Sequence, residues 1–182
     1  MGKAVFGPLT VIAIVVCLVA SAHGSNSNSL ACLRRAHSTS VSVQRQFQQD
    51  LQRLVVRERP GLKGVAAAGV DTQMAYFDVM GARFTYLFKT QPARIEGIIK
   101  PNGAAVVFDW SDEDTTALLR ADPRYEQLEV RWLDLKTKTE RHPDRSKLLN
   151  YIQSSKEFRT LSVQFAREHH VVKEILEQCR AQ

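Results

Sequence analysis

The first 22 residues most constrain what this chain can fold into, because they resemble a leader that is removed before the mature protein folds. Lys3 provides a positive start, and Leu9–Ala20 is a largely apolar run of twelve residues. Small residues follow at Ala20 and Ala22, where a signal peptidase requires them. This pattern predicts a secretory signal peptide over residues 1–22. A run this short does not cross about 30 Å of hydrocarbon, so membrane attachment is expected only if the leader stays uncleaved.

The segment 23–40 is polar and unusually poor in acids. No Asp or Glu precedes Asp50, while Ser and Asn are frequent and Arg34 and Arg35 add positive charge. Organellar presequences share this bias, so the segment is interpreted as a polar linker or as a transit-like segment, cleaved at Ala22 or near His37. The expected location is the secretory pathway, either secreted or reaching an organelle by a bipartite signal. A mitochondrial location is the alternative.

The remaining residues 41–182 are predicted to form a single domain, since about 140 residues with a hydrophobic fraction of 44% suffice for one core. The net charge of +6 falls to +5 when Lys3 leaves with the leader. Of three cysteines, Cys32 and Cys179 then remain. In an oxidising compartment these two are candidates for a disulfide that joins the two ends of the domain.

The first half of this domain is predicted to begin with a helix, followed by strands. A cap at Ser40 or Ser42 opens a helix that runs to about Glu58 and ends before Pro60-Gly61. Its apolar residues follow one helical stripe: Val43, Phe47, Leu51, Leu54 and Val55. Met74–Asp109 is interpreted as three or four antiparallel strands because Phe84, Tyr86 and Phe88 alternate with polar residues and Pro101-Asn102-Gly103 is typical of a tight turn.

The second half combines a capped helix, one strand and a helical end. Ser111 precedes three acids and predicts a short helix to Arg120. Leu128, Val130 and Trp132 alternate with charged residues and predict a strand over Gln127–Leu135. From His142-Pro143-Asp144 onward the apolar spacing is helical. The predicted fold is therefore α+β, an antiparallel sheet of about four to five strands with the N-terminal helix and the helical C-terminal third packed on one face.

Two groups of residues are predicted as binding sites. Polar side chains projecting from the strands would border an apolar ligand pocket, and they are Tyr76, Asp78, Tyr86 and Asp109. A basic run beside Trp132 would contact an anionic partner, and it comprises Lys136, Lys138, Arg141, Arg145 and Lys147. Glu168-His169-His170 lacks the H-E-x-x-H spacing of zinc proteases. No catalytic residue, metal site or cofactor is predicted, because the chain contains no G-x-S-x-G, C-x-x-C or P-loop sequence.

These observations favour a non-catalytic accessory or binding protein of the secretory pathway or an organelle. It would dock into a larger complex, or onto a protein partner, through its C-terminal amphipathic helix and its basic strand. One alternative is a carrier of an apolar small ligand (a lipid or another organic molecule), or an enzyme, with a pocket over the sheet. Another is a basic RNA-binding subunit, since the basic run could contact a nucleic acid or another anionic surface. Whether the protein is an enzyme is left open.

Overall fold

The chain is helical throughout the part that the computed structural model describes, residues 22–96 and 110–180. Within those ranges lie seven α-helices and one short 3₁₀ turn at Pro60–Leu62, and no strand. The helices are α1 (Ala22–Glu58), α2 (Lys63–Thr90), α3 (Pro92–Glu96), α4 (Asp112–Ala121), α5 (Arg124–Glu140), α6 (Arg145–Ser154) and α7 (Lys156–Arg180). The predicted α+β fold with a sheet of four to five strands is therefore wrong for the described residues.

Several predictions lie wholly or mainly outside the described residues. They are the signal peptide up to Ser21, the turn at Pro101-Asn102-Gly103, the strand up to Asp109, and Asp109 itself as a site residue.

Helix α1 ends where the sequence predicts but begins much earlier. It ends at Glu58, next to the Pro60–Leu62 turn, whereas its start lies at Ala22 instead of at Ser40 or Ser42. Leu33 and Ala36 are fully buried and Ser40 is 2% exposed. Residues 28–40, interpreted from composition as a linker or transit-like segment, therefore contribute to the packed core of this structure.

Helix α2 replaces the predicted strands over residues 74–90. Val70, Phe77 and Phe84 are buried on one side of the helix, while Ala75 and Val79 are buried on the opposite side. A helix that is covered on both sides carries apolar residues all round and shows no single stripe. The short alternation of Phe84, Tyr86 and Phe88 therefore resembles a half-buried strand, although it belongs to a doubly packed helix.

Helix α5 likewise replaces the strand predicted over Gln127–Leu135. Tyr125 is 1% exposed, and Leu128 and Trp132 pack against the same cluster as Val79 of α2. These α5 residues follow a helical spacing of three and four. Val130, which the alternation placed on the buried face of a strand, is 59% exposed on the outer face of α5.

The helices that short local sequence patterns predict after residue 110 are confirmed. Ser111 caps α4, its hydroxyl accepting a hydrogen bond from the Asp114 N–H while the Asp114 carboxylate accepts one from the Ser111 N–H. This reciprocal arrangement is a capping box. The C-terminal third is also helical, and it consists of α6 and α7 separated at Ser155, whose backbone is extended.

The long helices pack in the order α7, α1, α2, α5. Helix α1 contacts α7 on one side and α2 on the other, and α2 in turn contacts α5. A first core cluster joins α1, α2, α3 and α7 through Leu33, Phe84, Leu87, Ile95, Val172 and Leu176. A second joins α2, α4 and α5 through Val79, Leu118 and Tyr125. The Cys32–Cys179 disulfide, with a Cα–Cα distance of 5.4 Å, links α1 to the last turn of α7.

An ion pair fixes α3 to the start of α4. The Arg94 Nη1 and Nη2 atoms donate to the two carboxylate oxygens of Asp114 at 2.7 and 2.9 Å. The Asp114 side chain is only 7% exposed. Chiefly because of the Arg94 hydrogen bonds, the pKa of Asp114 falls to about 2. The carboxylate is therefore ionised throughout the physiological pH range and depends on Arg94 for its charge partner.

Replacing Arg94 by Gln is expected to lower the free energy of unfolding by about 1–2 kcal/mol at pH 7, because it leaves a buried carboxylate without its cation. The depressed pKa of Asp114 stabilises the fold above about pH 4, and this stabilisation is lost as the pH falls toward 2. The free energies of unfolding of the two proteins, measured with urea, should therefore approach each other as the pH is lowered. Arg124→Gln is the control, since its Asp122 pair is exposed and such surface pairs contribute little to stability. Equal stability of Arg94→Gln and the unmodified protein at pH 7 would contradict this account.

Candidate functional site

The four predicted ligand-binding residues are not brought together among the described residues. Tyr76 faces α5, where its ring centre lies 5.5 Å from that of Trp132. Asp78 faces α1, because two residues along a helix are about 200° apart, and it accepts a hydrogen bond from Arg45. Tyr86 packs edge-on against Trp110, and Asp109 lies outside the described residues. Asp78 therefore belongs to a different site from Tyr76 and Tyr86.

Asp78 lines an open groove of about 630 Å³ that runs over α2 between α1 and α5. We call it the central groove. Its apolar lining comes from Val41, Phe77 and Leu128, with Gly81 in α2, and its polar lining includes His37, Arg45 and Asp78. The volume lies within the range of about 300–1,000 Å³ that is usual for small-molecule sites.

His37 enters this groove from α1 as a neutral side chain. Its ring stacks on Phe84 with ring centres 3.7 Å apart and planes 4° from parallel. Burial lowers the pKa of His37 to about 4, since the charged imidazolium is poorly solvated there. At neutral pH the ring therefore combines an apolar face with one hydrogen-bond donor and one acceptor.

A serine and a histidine also meet between α1 and α7. The Ser40 hydroxyl lies 3.3 Å from Nε2 of His169, and Gln44 donates a hydrogen bond to the same hydroxyl at 2.9 Å. Burial lowers the pKa of His169, which keeps the ring neutral. Ser–His pairs can activate a nucleophile, but Ser40 and His169 are 2% and 6% exposed and a substrate cannot approach them. This pair therefore acts as a polar contact between the two helices.

The predicted basic run lies on two consecutive helices and the turn between them. Lys136 and Lys138 belong to α5, Arg141 follows its last residue, and Arg145 and Lys147 belong to α6. Lys138 and Lys147 are paired with Asp134 and Asp144, each at 2.7 Å. Arg141 and Arg145 are exposed and make no ion pair with another described residue. Two of the three lysines of the run are therefore neutralised by aspartates, whereas its two arginines are available to an anionic partner.

A second basic segment, from the turn between α1 and α2, lies beside this run. A Cβ atom on Gly64 would lie 3.7 Å from Nε2 of His142, which places the start of α2 next to the α5–α6 turn. Arg59 and Lys63 flank that start, are exposed, and make no ion pair with another described residue. We call this surface the basic end. It comprises Arg59, Lys63, Arg141, Arg145 and Lys147.

A shallow groove of about 440 Å³ crosses the basic end and carries polar groups suited to an oxyanion. Its lining includes Arg59, Lys147, Asn150 and Tyr151, and among its described lining residues there is no carboxylate. The guanidinium of Arg59 lies 5.7 Å above the Tyr151 ring. The Tyr151 hydroxyl is buried and has no hydrogen-bond partner among the described residues, although buried hydroxyl groups normally have one.

Sequence reasoning missed Arg59, Lys63 and Tyr151 in one surface, and His37 and Arg45 in the other. The stretch Arg57–Lys63 carries three cations around Pro60-Gly61, and this is the signal that could have marked it as a surface. Nothing in the sequence connects that stretch to residues 141–147, some eighty positions later. That connection depends on how α6 packs near the start of α2.

In the described part of the chain, no three His, Cys, Asp or Glu residues are grouped so as to hold a metal ion. No described helix is long and apolar enough to cross a membrane. The chain matches no protein-family model, and no curated protein or solved structure is significantly similar to it.

Proposed function

We propose that this protein is a non-catalytic accessory protein of the secretory pathway that docks onto an acidic face of a larger protein partner through its basic end. The observation that carries the proposal is the meeting of two basic segments that are distant in sequence, Arg59–Lys63 and Arg141–Lys147. Clustered cations steer acidic partners and set the orientation of docking.

The location in this proposal is supported by the leader and by the disulfide. Residues 1–22 have the pattern of a secretory signal, and disulfides persist in oxidising compartments. Cleavage near His37 would remove Cys32 together with the buried Leu33 and Ala36. Cleavage near Ala22 retains all three residues, so we favour a secreted protein that begins near His23.

The docking surface differs from the one that the sequence favours. The apolar stripe of α7 would dock a partner only if it were exposed, but Val172, Ile175 and Leu176 are buried in the cluster shared with α1. The predicted basic strand is the outer face of α5. It leads into the α5–α6 turn, where Arg141 belongs to the basic end and the two basic segments lie together. The basic end is therefore the better candidate.

A charge-reversal experiment tests the proposal with poly-L-glutamate as the probe. Reversing Arg59 and Arg145 to Glu is expected to weaken binding at least about tenfold at low salt, because close opposite charges become like charges. The matched control reverses Arg120 and Arg167, which are exposed elsewhere and change the net charge equally. Binding is measured by fluorescence anisotropy, and folding by circular dichroism.

Three results would count against acidic-protein docking. The first is equal weakening by the two double variants, which would indicate attraction by net charge alone. The second is the absence of binding to poly-L-glutamate at low salt. The third is tighter binding of a single-stranded RNA of equal charge, which would favour the RNA-binding alternative. RNA binding would also weaken steeply as the salt concentration rises.

A further inference from the structure

The central groove over α2 is an open surface groove that shares no lining residue with the basic end. Helices α1, α2 and α5 each contribute lining residues to it. Val41, Phe77 and Leu128 provide the apolar surface. An added Cβ at Gly81 would meet no atom within 4 Å, so the glycine leaves space open at this point of α2. Small ligands are usually bound where an apolar concave surface carries a few polar groups.

The main polar group of the groove is Arg45. Its Nη2 atom donates to Asp78 at 2.6 Å, and its guanidinium carbon lies 5.8 Å above the Phe77 ring. The side chains of Arg45 and Asp78 are 38% and 36% exposed, so a ligand can reach the pair. A guanidinium has five N–H groups, and one bond to Asp78 leaves donors for a second carboxylate. Asp78 balances the charge of Arg45, so a ligand carboxylate would be held by hydrogen bonds from these remaining N–H groups rather than by an unpaired charge.

The ring of His37 extends the apolar wall next to this cation. It stacks on Phe84 and is neutral at physiological pH, so it does not add a charge that would need its own counter-ion. An alkyl chain or aromatic ring can therefore lie along Val41, Phe77 and the His37 ring while an acidic headgroup reaches Arg45. Burial of such a chain contributes about 25 cal/mol per Å² of apolar surface.

We propose that the central groove binds an apolar organic acid, a fatty or aromatic carboxylate, with its carboxylate on Arg45 and its hydrocarbon part along Val41, Phe77 and Leu128. This ligand class differs from the macromolecular partner of the basic end. Charge reversal at Arg59 and Arg145 is accordingly expected to leave binding in the central groove unchanged.

The test uses dodecanoate as the ligand and 1-anilinonaphthalene-8-sulfonate as the fluorescent probe. The full chain is expected to enhance probe fluorescence, and dodecanoate is expected to displace the probe. Gly81→Leu fills the open floor and should lower the affinity for dodecanoate at least about tenfold. Gly69→Leu is the matched control, because Gly69 also lies inside α2 with open space at its Cβ position but does not line the groove. Both changes raise helix propensity, and thermal unfolding checks that both variants fold.

The role of Arg45 is tested separately, with dodecanol as the neutral ligand. Arg45→Gln should weaken dodecanoate binding about fivefold or more and leave dodecanol binding within a factor of two, because only the carboxylate depends on the cation. Three outcomes would overturn the proposal. They are no displaceable probe binding by the unmodified chain, equal affinities of Gly81→Leu and Gly69→Leu, and an equal effect of Arg45→Gln on both ligands.

Discussion

Opening the Cys32–Cys179 disulfide is expected to lower the free energy of unfolding by about 2–5 kcal/mol, the largest effect of any single change considered for this protein. The two cysteines are 147 positions apart in the sequence. A cross-link over so long a loop removes many conformations from the unfolded chain, and the entropic gain rises with the logarithm of loop length. The bond therefore stabilises the fold mainly by restricting the unfolded state.

The native structure around the bond indicates which part will open first. Cys32 lies next to the fully buried Leu33, and Cys179 follows Ile175 and Leu176 in the last turns of α7. These turns together form one end of the α1–α7 packing, whose other end lies near Phe47 and Phe158. Without the bond, terminal helix turns fray readily, so amide hydrogen exchange should accelerate there more than at the α2–α5 interface.

The experiment compares Cys32→Ser/Cys179→Ser with the unmodified protein, each with and without dithiothreitol. The urea midpoint of the unmodified protein should fall on reduction to that of the double variant, and the reductant should leave the double variant unchanged. An unmodified protein whose midpoint is insensitive to reduction would show that the disulfide does not stabilise the fold. A reductant effect on the double variant would point to a different cause.

The helices that the sequence predicts correctly have signals confined to a few neighbouring residues. Ser111 and Asp114 form a capping box through atoms three positions apart, and the capping residues are readable in order along the chain. The end of α1 before Pro60 is equally local, since proline lacks the N–H that would continue the helix. Such elements can be predicted because their stabilising contacts do not depend on the rest of the fold.

The helices that the sequence misassigns are those whose pattern depends on tertiary contacts. Helix α2 is buried on two sides, by α1 and by α5, so its apolar residues follow no single stripe. Helix α5 carries Val130 on its outer face, and this exposed valine completes a false alternation with Leu128 and Trp132. Neither arrangement can be read from the chain before the partners of each helix are known.

The candidate surfaces likewise combine residues that the sequence identifies with residues that only the fold brings to the same place. Arg141 and Arg145 are conspicuous in the sequence because they belong to a basic run, whereas Arg59 joins them only through the packing of α6 beside the α1–α2 turn. Asp78 was named as a ligand residue, yet its partner Arg45 lies 33 positions earlier on another helix. The sequence therefore identifies single chemical groups, and the fold decides which of them share a site.

Acidification from pH 7 to pH 4 is expected to destabilise the protein by about 2–3 kcal/mol through His37. Burial lowers the pKa of this residue from 6.5 to about 4. Between these values the unfolded chain takes up a proton that the folded chain does not, so stability is full above about pH 6.5 and decreases as the pH falls toward 4. His169, whose pKa is also lowered by burial, acts in the same direction.

Replacing His37 by Phe separates this contribution from the others. The substitution keeps an aromatic ring against Phe84 but removes the titrating group, so the variant should lose less stability than the unmodified protein over the same pH interval. His170→Phe is the control, because His170 is 61% exposed beside Glu174. Urea unfolding at half-unit pH steps gives the three stability curves.

The pKa itself provides the decisive measurement, because several groups contribute to the overall pH dependence. In an NMR titration of the folded protein, the His37 ring signal should begin to move only below about pH 5. A His37 signal that titrates near pH 6.5 would show that the ring is hydrated in solution. In that case the neutral wall of the central groove would be lost as well, because a hydrated His37 could not stack on Phe84 as it does at 3.7 Å. The stability curve and the groove thus depend on the same buried imidazole.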